Sequence, residues 1–177
     1  MMTHWEVGKI GGSGPINVFL IEDDTGFSRL VQNMLTEIEG GPFTFERVEN
    51  LEKGIERIKK GGIDVVLLDL LLPDSEGIFT FFKLREVAED IPVVVLSALE
   101  DDETAILAVR EGAQDYLFKG IVNPAVLIRS IRHSIERKRN REELKQTREE
   151  LKGQLEGKEA EIVDLKKRLD AALKGAK

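Results

Sequence analysis

The sequence predicts an α/β fold: a doubly wound five-stranded parallel sheet followed by a long C-terminal helix. Three observations point there. Five short apolar runs rich in β-branched residues alternate with stretches of helical spacing, which is the mark of βαβ units. The runs at 16–21, 63–70 and 91–97 are almost continuously apolar, as strands covered on both faces must be. The last proline is Pro124, and from there a helical pattern runs on with no further proline to stop it.

Taken in order, "MMTHWEVGKIGGSGP" (1–15) is Gly-rich, shows no periodicity and reads as a flexible leader. "INVFLI" (16–21) is the first strand, and Phe27, Leu30, Val31, Met34, Leu35 and Ile38 then recur at helical spacing. "FTFERV" (43–48) alternates only loosely through Phe43, Phe45 and Val48, which suits an edge strand. Leu51, Ile55 and Ile58 mark a second helix. "IDVVLLDL" (63–70) is the third strand, with Phe79, Phe82, Leu84 and Val87 marking the helix after it. "IPVVVLS" (91–97) is the fourth strand, and Ala105, Ile106, Ala108 and Val109 mark the fourth helix. "DYLF" (115–118) closes the sheet.

The last helix opens on Val126, Leu127, Ile131 and Ile135, then crosses the polar "ERKRNREE" (136–143). Apolar residues return in a heptad seam. Leu144, Leu151, Leu165 and Ala172 fall at d, and Leu155, Ile162 and Leu169 at a. Arg148 at a and Lys158 at d interrupt it, and Gly153 and Gly157 each cost the helix about 1 kcal/mol against Ala. The expected division is a leader at 1–15, an α/β domain at 16–138 and a coiled-coil extension at 139–177.

The composition narrows the functional classes. Net charge is −7 over 177 residues, but residues 1–127 carry −12 and residues 128–177 carry +5. An acidic body repels nucleic acid, and the tail's interleaved signs read as a solvated helix, so no direct nucleic-acid contact is expected. Cysteine is absent, which excludes disulfides and thiolate-held metals. No apolar run reaches the roughly 18 residues of a membrane span, and the leader has no apolar h-region. A soluble cytoplasmic protein without a membrane partner is the expectation.

Ligands of doubly wound sheets bind at the carboxyl ends of the strands. There the first strand runs into Glu22, Asp23 and Asp24, the third ends near Asp69, the fourth ends in Ser97 followed by the small Ala98, and the fifth leads to Lys119. Clustered carboxylates repel one another and are costly to desolvate, and a divalent cation with oxygen ligands relieves both costs. Asp69 can act as a nucleophile toward phosphorus, while a lysine and a hydroxyl can hold the oxygens of a transferred phosphoryl group.

"FLIEDD", "DVVLLDLLLPDSEG", "PVVVLSA" and "GAQDYLFKG", in that order and spacing, resemble the response regulator receiver domain, the phosphoacceptor module of two-component signalling. The resemblance covers about residues 16–138. It implies a flavodoxin-like sheet of order 2-1-3-4-5 and phosphorylation of Asp69 by a histidine kinase or a histidine phosphotransfer protein. It implies Mg2+ on Glu22, Asp23, Asp69 and the backbone carbonyl of Leu71, with Ser97 and Lys119 contacting the phosphoryl group. Tyr116 takes the position of the switch aromatic, and Asp24 and Ala98 are auxiliary. Such a module is not an enzyme beyond slow self-dephosphorylation. Its readout is the face formed by helix 4, strand 5 and helix 5, here leading into a coiled coil expected to form a homodimer. One departure is Gly120, where the family usually has proline; it implies a trans peptide and a looser loop after Lys119.

The same residues admit other readings. Any one acid of Glu22–Asp24 could cap the following helix, but the set with Asp69 and Lys119 speaks for a metal and phosphoryl site. A haloacid-dehalogenase-type hydrolase needs a second aspartate two residues after the nucleophile, where this chain has Leu71. A non-phosphorylated coiled-coil adaptor would not need Glu22, Asp23, Asp69, Ser97 and Lys119 together. A receiver fragment of a larger sensor, cyclase or kinase protein fits the "IERKR" helix as well as a free-standing regulator does. His133 has no acidic residue after it and reads as a solvated helical residue; "GGSGP" lacks the Lys-Ser/Thr of a phosphate loop.

Overall fold

The computed structural model describes residues 14–36, 43–98 and 101–175, with the side chains of 169, 170 and 172–175 outside the description. In order come β1 (Ile16–Ile21), α1 (Thr25–Thr36), β2 (Phe43–Val48), α2 (Leu51–Ile58), β3 (Val65–Asp69), β4 (Leu71–Leu72), β5 (Ser75–Glu76), α3 (Ile78–Arg85), β6 (Val93–Ser97), α4 (Asp102–Arg110), β7 (Asp115–Phe118) and α5 (Pro124–Gly175). The five long strands form one sheet of order β2-β1-β3-β6-β7 with every pair parallel. The two-residue strands β4 and β5 pair with each other in a separate antiparallel ladder, which the sequence reading did not anticipate. With that ladder set aside, the order is the expected 2-1-3-4-5. Ile38 of the first helical pattern, most of the leader, and the side chains of Leu169 and Ala172 lie outside the described residues.

Side chains of a strand alternate between faces, and here each face has its own core. Phe19, Ile21, Val66, Leu68, Val93 and Val95 point to one side and pack with Leu51, Ile58, Phe81 and Leu84 of α2 and α3. Val18, Leu20, Val65, Leu67, Val94 and Leu96 point to the other and pack with Val31 and Leu35 of α1 and Leu127 and Ile131 of α5. That is why β1, β3 and β6 are apolar apart from Asn17, Asp69 and Ser97 near their ends, while β2 at the sheet's edge is half-exposed.

Two helices bury only part of the apolar set their spacing suggests: Leu84 and Ala108 are buried and Phe82 and Val87 pack against the core, but other expected positions do not. In α3 the buried residues are Thr80, Phe81 and Leu84, and Phe79 stands 67% exposed. Its sequence, "IFTFFKLR", is apolar nearly all round, so spacing alone cannot choose a face. In α4 only Ala108 is buried, and Ile106 and Val109 are 68% and 51% exposed.

Side chains set the helix starts. Asn50 Oδ1 accepts from the Lys53 amide at 3.0 Å, and Asp74 accepts from the Leu51 and Glu52 amides at 2.9 Å each, so α2 opens on two caps. Asn123 Oδ1 accepts from the Val126 amide at 3.1 Å and Pro124 follows as the first helical residue, where its missing N–H costs nothing. Gly77 has φ of +65° and donates to the Leu70 carbonyl at 2.8 Å, closing the turn that begins just after Asp69.

The described residues up to Lys138 form one compact unit and those from Arg139 onward a second. In the second unit Leu144, Leu151, Leu155, Ile162, Val163 and Leu165 are each at least half exposed. Ion pairs Arg139–Glu143, Lys158–Glu161 and Arg168–Asp164 lie along this helix at 3.0, 3.2 and 3.9 Å. Pairs this exposed contribute only a few tenths of a kcal/mol each. Among the described residues no helix is long and apolar enough to cross a membrane.

Candidate functional site

Parallel register brings the strand ends to one edge. Ile21 pairs with Leu68, Asp69 with Leu96, and Ser97 with Phe118, so the residues just beyond them meet. Asp69 is the last residue of the central strand and is 3% exposed. Lys119 Nζ donates to Asp69 Oδ2 at 2.8 Å and lies 2.7 Å from Glu22 Oε2. The other Asp69 oxygen accepts from the Leu71 amide at 3.2 Å. One carboxylate oxygen from each of Glu22, Asp23 and Asp69 lies within 4.8 Å of the other two.

The electrostatics follow from burial. Glu22 is fully buried, which pushes its carboxyl up to about 7; the nearby Asp69 charge adds to this, and the Lys119 ammonium opposes it. Burial alone would lower Lys119, but its hydrogen bond to Asp69 and its close ion pair with Glu22, with the charges of both, outweigh that and raise it. Glu22 Oε2 is buried and, although ion-paired, has no aligned hydrogen-bond donor. A buried carboxylate oxygen short of donors, beside two more carboxylates of which Asp23 is exposed, fits a hard divalent cation that keeps part of its water.

The remaining expected residues are distributed as follows. Ser97 is buried at the end of β6, and its carbonyl accepts from the Lys119 amide at 2.8 Å, tying that lysine's backbone to the strand. Ala98 follows as an exposed residue. Tyr116 pairs with Val95 across β6 and β7 and packs, partly buried, against the core on the α2 and α3 face. Leu71 begins β4. Asp24 turns away from the cluster: its Oδ1 accepts from the Gly26 amide at 2.7 Å and the Phe27 amide at 3.2 Å. These amides, Phe27's first, hold the Asp24 carboxyl below the usual carboxylate range. Asp24 is therefore the cap of α1, the role weighed for all three acids. No cis peptide bond occurs among the described residues, so Gly120 follows Lys119 in trans.

Two contributors were missed in the sequence. Arg47 donates to the Glu22 carbonyl at 2.9 Å and to the Asp23 carbonyl at 2.7 Å, fixing the backbone of the acidic pair from the neighbouring strand. Its signal was a lone cation near the end of an edge strand, readable only once Leu20 is known to pair with Arg47. Phe27 lies with its ring centroid 4.6 Å from Lys119 Nζ. In the sequence Phe27 is one of the apolar positions of the first helical spacing, and it does pack, partly buried, against that core.

Residues 18–132 match the response regulator receiver domain. The chain belongs to the response regulator receiver family. Members of this family are signalling domains. Among curated relatives, the chain is 34% identical over 102 residues to the probable C4-dicarboxylate response regulator DctR of Bacillus subtilis, covering 58% of this chain and 45% of that protein. It is 35% identical over 103 residues to the KDP operon transcriptional regulatory protein KdpE of Escherichia coli, covering 58% and 44%. The receiver chain thus spans under half the length of these relatives. The fold agrees with solved structures: a CheY-like receiver domain protein of Methanospirillum hungatei JF-1 has a TM-score of 0.63 at 22% identity, covering 72% of this chain and 99% of that one. The signal receiver domain of an HD domain-containing protein of Pseudomonas fluorescens Pf-5 gives 0.65 at 16%, covering 75% and 96%.

Proposed function

We propose that this receiver accepts a phosphoryl group on Asp69 from a histidine kinase or a histidine phosphotransfer protein. The observation that carries the reading is the buried Asp69 carboxylate, held by Lys119 at 2.8 Å with Glu22 and Asp23 beside it. In the step, an Asp69 carboxylate oxygen attacks the phosphorus of a phosphohistidine. A P–O bond forms, the P–N bond breaks, and its electron pair returns to the imidazole. Glu22, Asp23, Asp69 and the Leu71 carbonyl would hold Mg2+. When bound, the cation neutralises charge on the phosphoryl oxygens and on the clustered acids. Lys119 turns from Asp69 toward the new phosphoryl oxygens, and the Ser97 hydroxyl supplies a second contact.

Phosphorylation adds negative charge at the strand edge and biases a two-state equilibrium. Ser97 and Tyr116 relay it to the face formed by α4, β7 and the start of α5. The exposed seam of Leu144, Leu151, Leu155, Ile162 and Leu165 supports a homodimer through the C-terminal helix, since a lone helix leaves that stripe in water. Gly153 and Gly157 fall at f and c of the heptad, on the outer face, so they leave no hole in the seam. The output beyond the coiled coil belongs to whatever the receiver is joined to or contacts. The charge of −12 over residues 1–127 argues against this unit itself holding nucleic acid.

The test is incubation with acetyl phosphate, with and without Mg2+, read by intact mass. A Mg2+-dependent gain of one phosphoryl group that Asp69→Asn abolishes is expected. No gain in the wild type, or a gain that persists in Asp69→Asn, refutes the reading.

A further inference from the structure

Lys119 has to hold a flexible side chain in place between two buried carboxylates, and the residue after it gives little help. Its own amide is anchored on the Ser97 carbonyl at 2.8 Å. The next residue, Gly120, has no side chain to brace the loop. A Cβ there would come 2.5 Å from Phe118 Cε1, so the position stays bare to admit the Phe118 ring.

The bracing comes from elsewhere in the chain. The Lys119 ammonium sits over the Phe27 ring, 4.6 Å from its centroid, well inside the roughly 6 Å within which a ring quadrupole attracts a cation. Phe27 is itself fixed at both ends. Its amide donates to Asp24 Oδ1 at 3.2 Å in the first turn of α1. Its ring packs, partly buried, against the core that contains Val31 and Leu127. Lys119 Nζ therefore meets carboxylates at Glu22 and Asp69 and an aromatic face at Phe27.

We propose that Phe27 is a positioning residue for phosphoryl transfer: its ring holds the Lys119 ammonium at the acid cluster, in place of a rigid residue after the lysine. This rests on the reading of Asp69 as phosphoacceptor. The Phe27 ring acts through Lys119, and its amide is bound to Asp24 rather than to the Glu22, Asp23 and Asp69 cluster.

The test compares Phe27→Leu and Phe27→Met, which keep apolar bulk without a π face, with Phe27→Tyr, which keeps the ring. In wild-type carbon–proton correlation spectra the Lys119 ε-methylene protons are displaced upfield by the ring current, and in Phe27→Leu they return to the ordinary lysine position. Initial phosphorylation rates with acetyl phosphate at saturating Mg2+ fall about threefold to tenfold in the Leu and Met variants and stay within about twofold in Tyr. Mg2+ affinity is unchanged in all three. Thermal melts identify a variant that has merely unfolded, and Met then replaces Leu in the comparison. Leu and Met variants that react like the wild type, a Tyr variant as slow as Leu, or an undisplaced Lys119 resonance overturns the proposal alone. A wild type that takes no phosphoryl group overturns the reading of Asp69, and the proposal with it.

Discussion

Glu22 gives the sharpest test of the site's electrostatics without any phosphorylation. Its carboxyl is fully buried and pushed from 4.5 up to about 7, chiefly by desolvation. The folded-state value is above the unfolded one, so the folded protein binds the extra proton. The stabilisation this provides is fully present below about pH 4.5 and is lost as pH rises through about 7. Linkage at roughly 1.4 kcal/mol per pH unit then makes the metal-free wild type lose about 2 kcal/mol between about pH 5.5 and about pH 7.5 from this group. Glu22→Gln keeps an acceptor for the Asp24 amide, which donates to Glu22 Oε1 at 3.2 Å, but has nothing to titrate. The assay is urea unfolding of both proteins in chelator at the two pH values. The Lys119 ion pair forms only with the ionised carboxylate and is already contained in the value of about 7, so the change of the wild-type-minus-variant difference with pH reports the Glu22 titration. A wild-type-minus-variant difference that is the same at both pH values refutes the reasoning. Mg2+ at a fixed sub-saturating concentration, whose binding favours the ionised carboxylate, should stabilise the wild type at the higher pH more than the variant by mass action.

Four further outcomes are expected. Arg47→Met frees the Glu22 and Asp23 carbonyls and should weaken Mg2+ binding about threefold to tenfold by calorimetry, the lost positive charge offsetting part of the effect. Gly54→Val should destabilise by about 1–3 kcal/mol in urea, because a Cβ at Gly54 already meets Ile21 Cδ1 at 2.5 Å. Ile162→Lys, at an a position of the exposed seam, should convert a dimer to a monomer in light scattering, leaving phosphorylation of Asp69 intact. Asp24→Asn should lower stability above the carboxylate range, and the difference from wild type should disappear as pH falls through the lowered Asp24 value, since backbone amides favour its charged form in the fold.

Strand positions were legible because burial on both faces writes itself as continuous apolar sequence. The readings at 16–21, 43–48 and 115–118 agree with β1, β2 and β7 to the residue. The third strand was read two residues too early: Ile63 is buried, but Asp64 instead turns its carboxylate onto the Asn17 amide at 2.7 Å before pairing begins. Helix faces were less legible where apolar residues outnumber the buried positions, as in α3 and α4. The convergence of Glu22, Asp23, Asp69, Ser97 and Lys119 needed only strand ends and sheet order. Arg47 stands out as a lone cation on an edge strand but gains its meaning only from the β1–β2 register, and the Phe27 contact with Lys119 only from tertiary packing.

The three adjacent acids show how one short stretch divides labour through backbone geometry. Glu22 follows the last residue of β1, and its amide donates to the Val48 carbonyl at 3.0 Å, so its side chain is carried inward against Lys119 and Asp69. Asp23, one residue on, is exposed, with its carbonyl held by Arg47 and a carboxylate oxygen still within reach of the other two. Asp24 points along the chain into the amides of α1. Their repulsion is eased by different partners: an ammonium for the first, water for the second and a helix terminus for the third. The third is not remote from the site. By capping α1 it sets the Phe27 amide, and through the Phe27 ring it reaches the same ammonium that the first acid contacts directly. Asp24 and Glu22 thus both bear on Lys119, one through an aromatic face and one through charge.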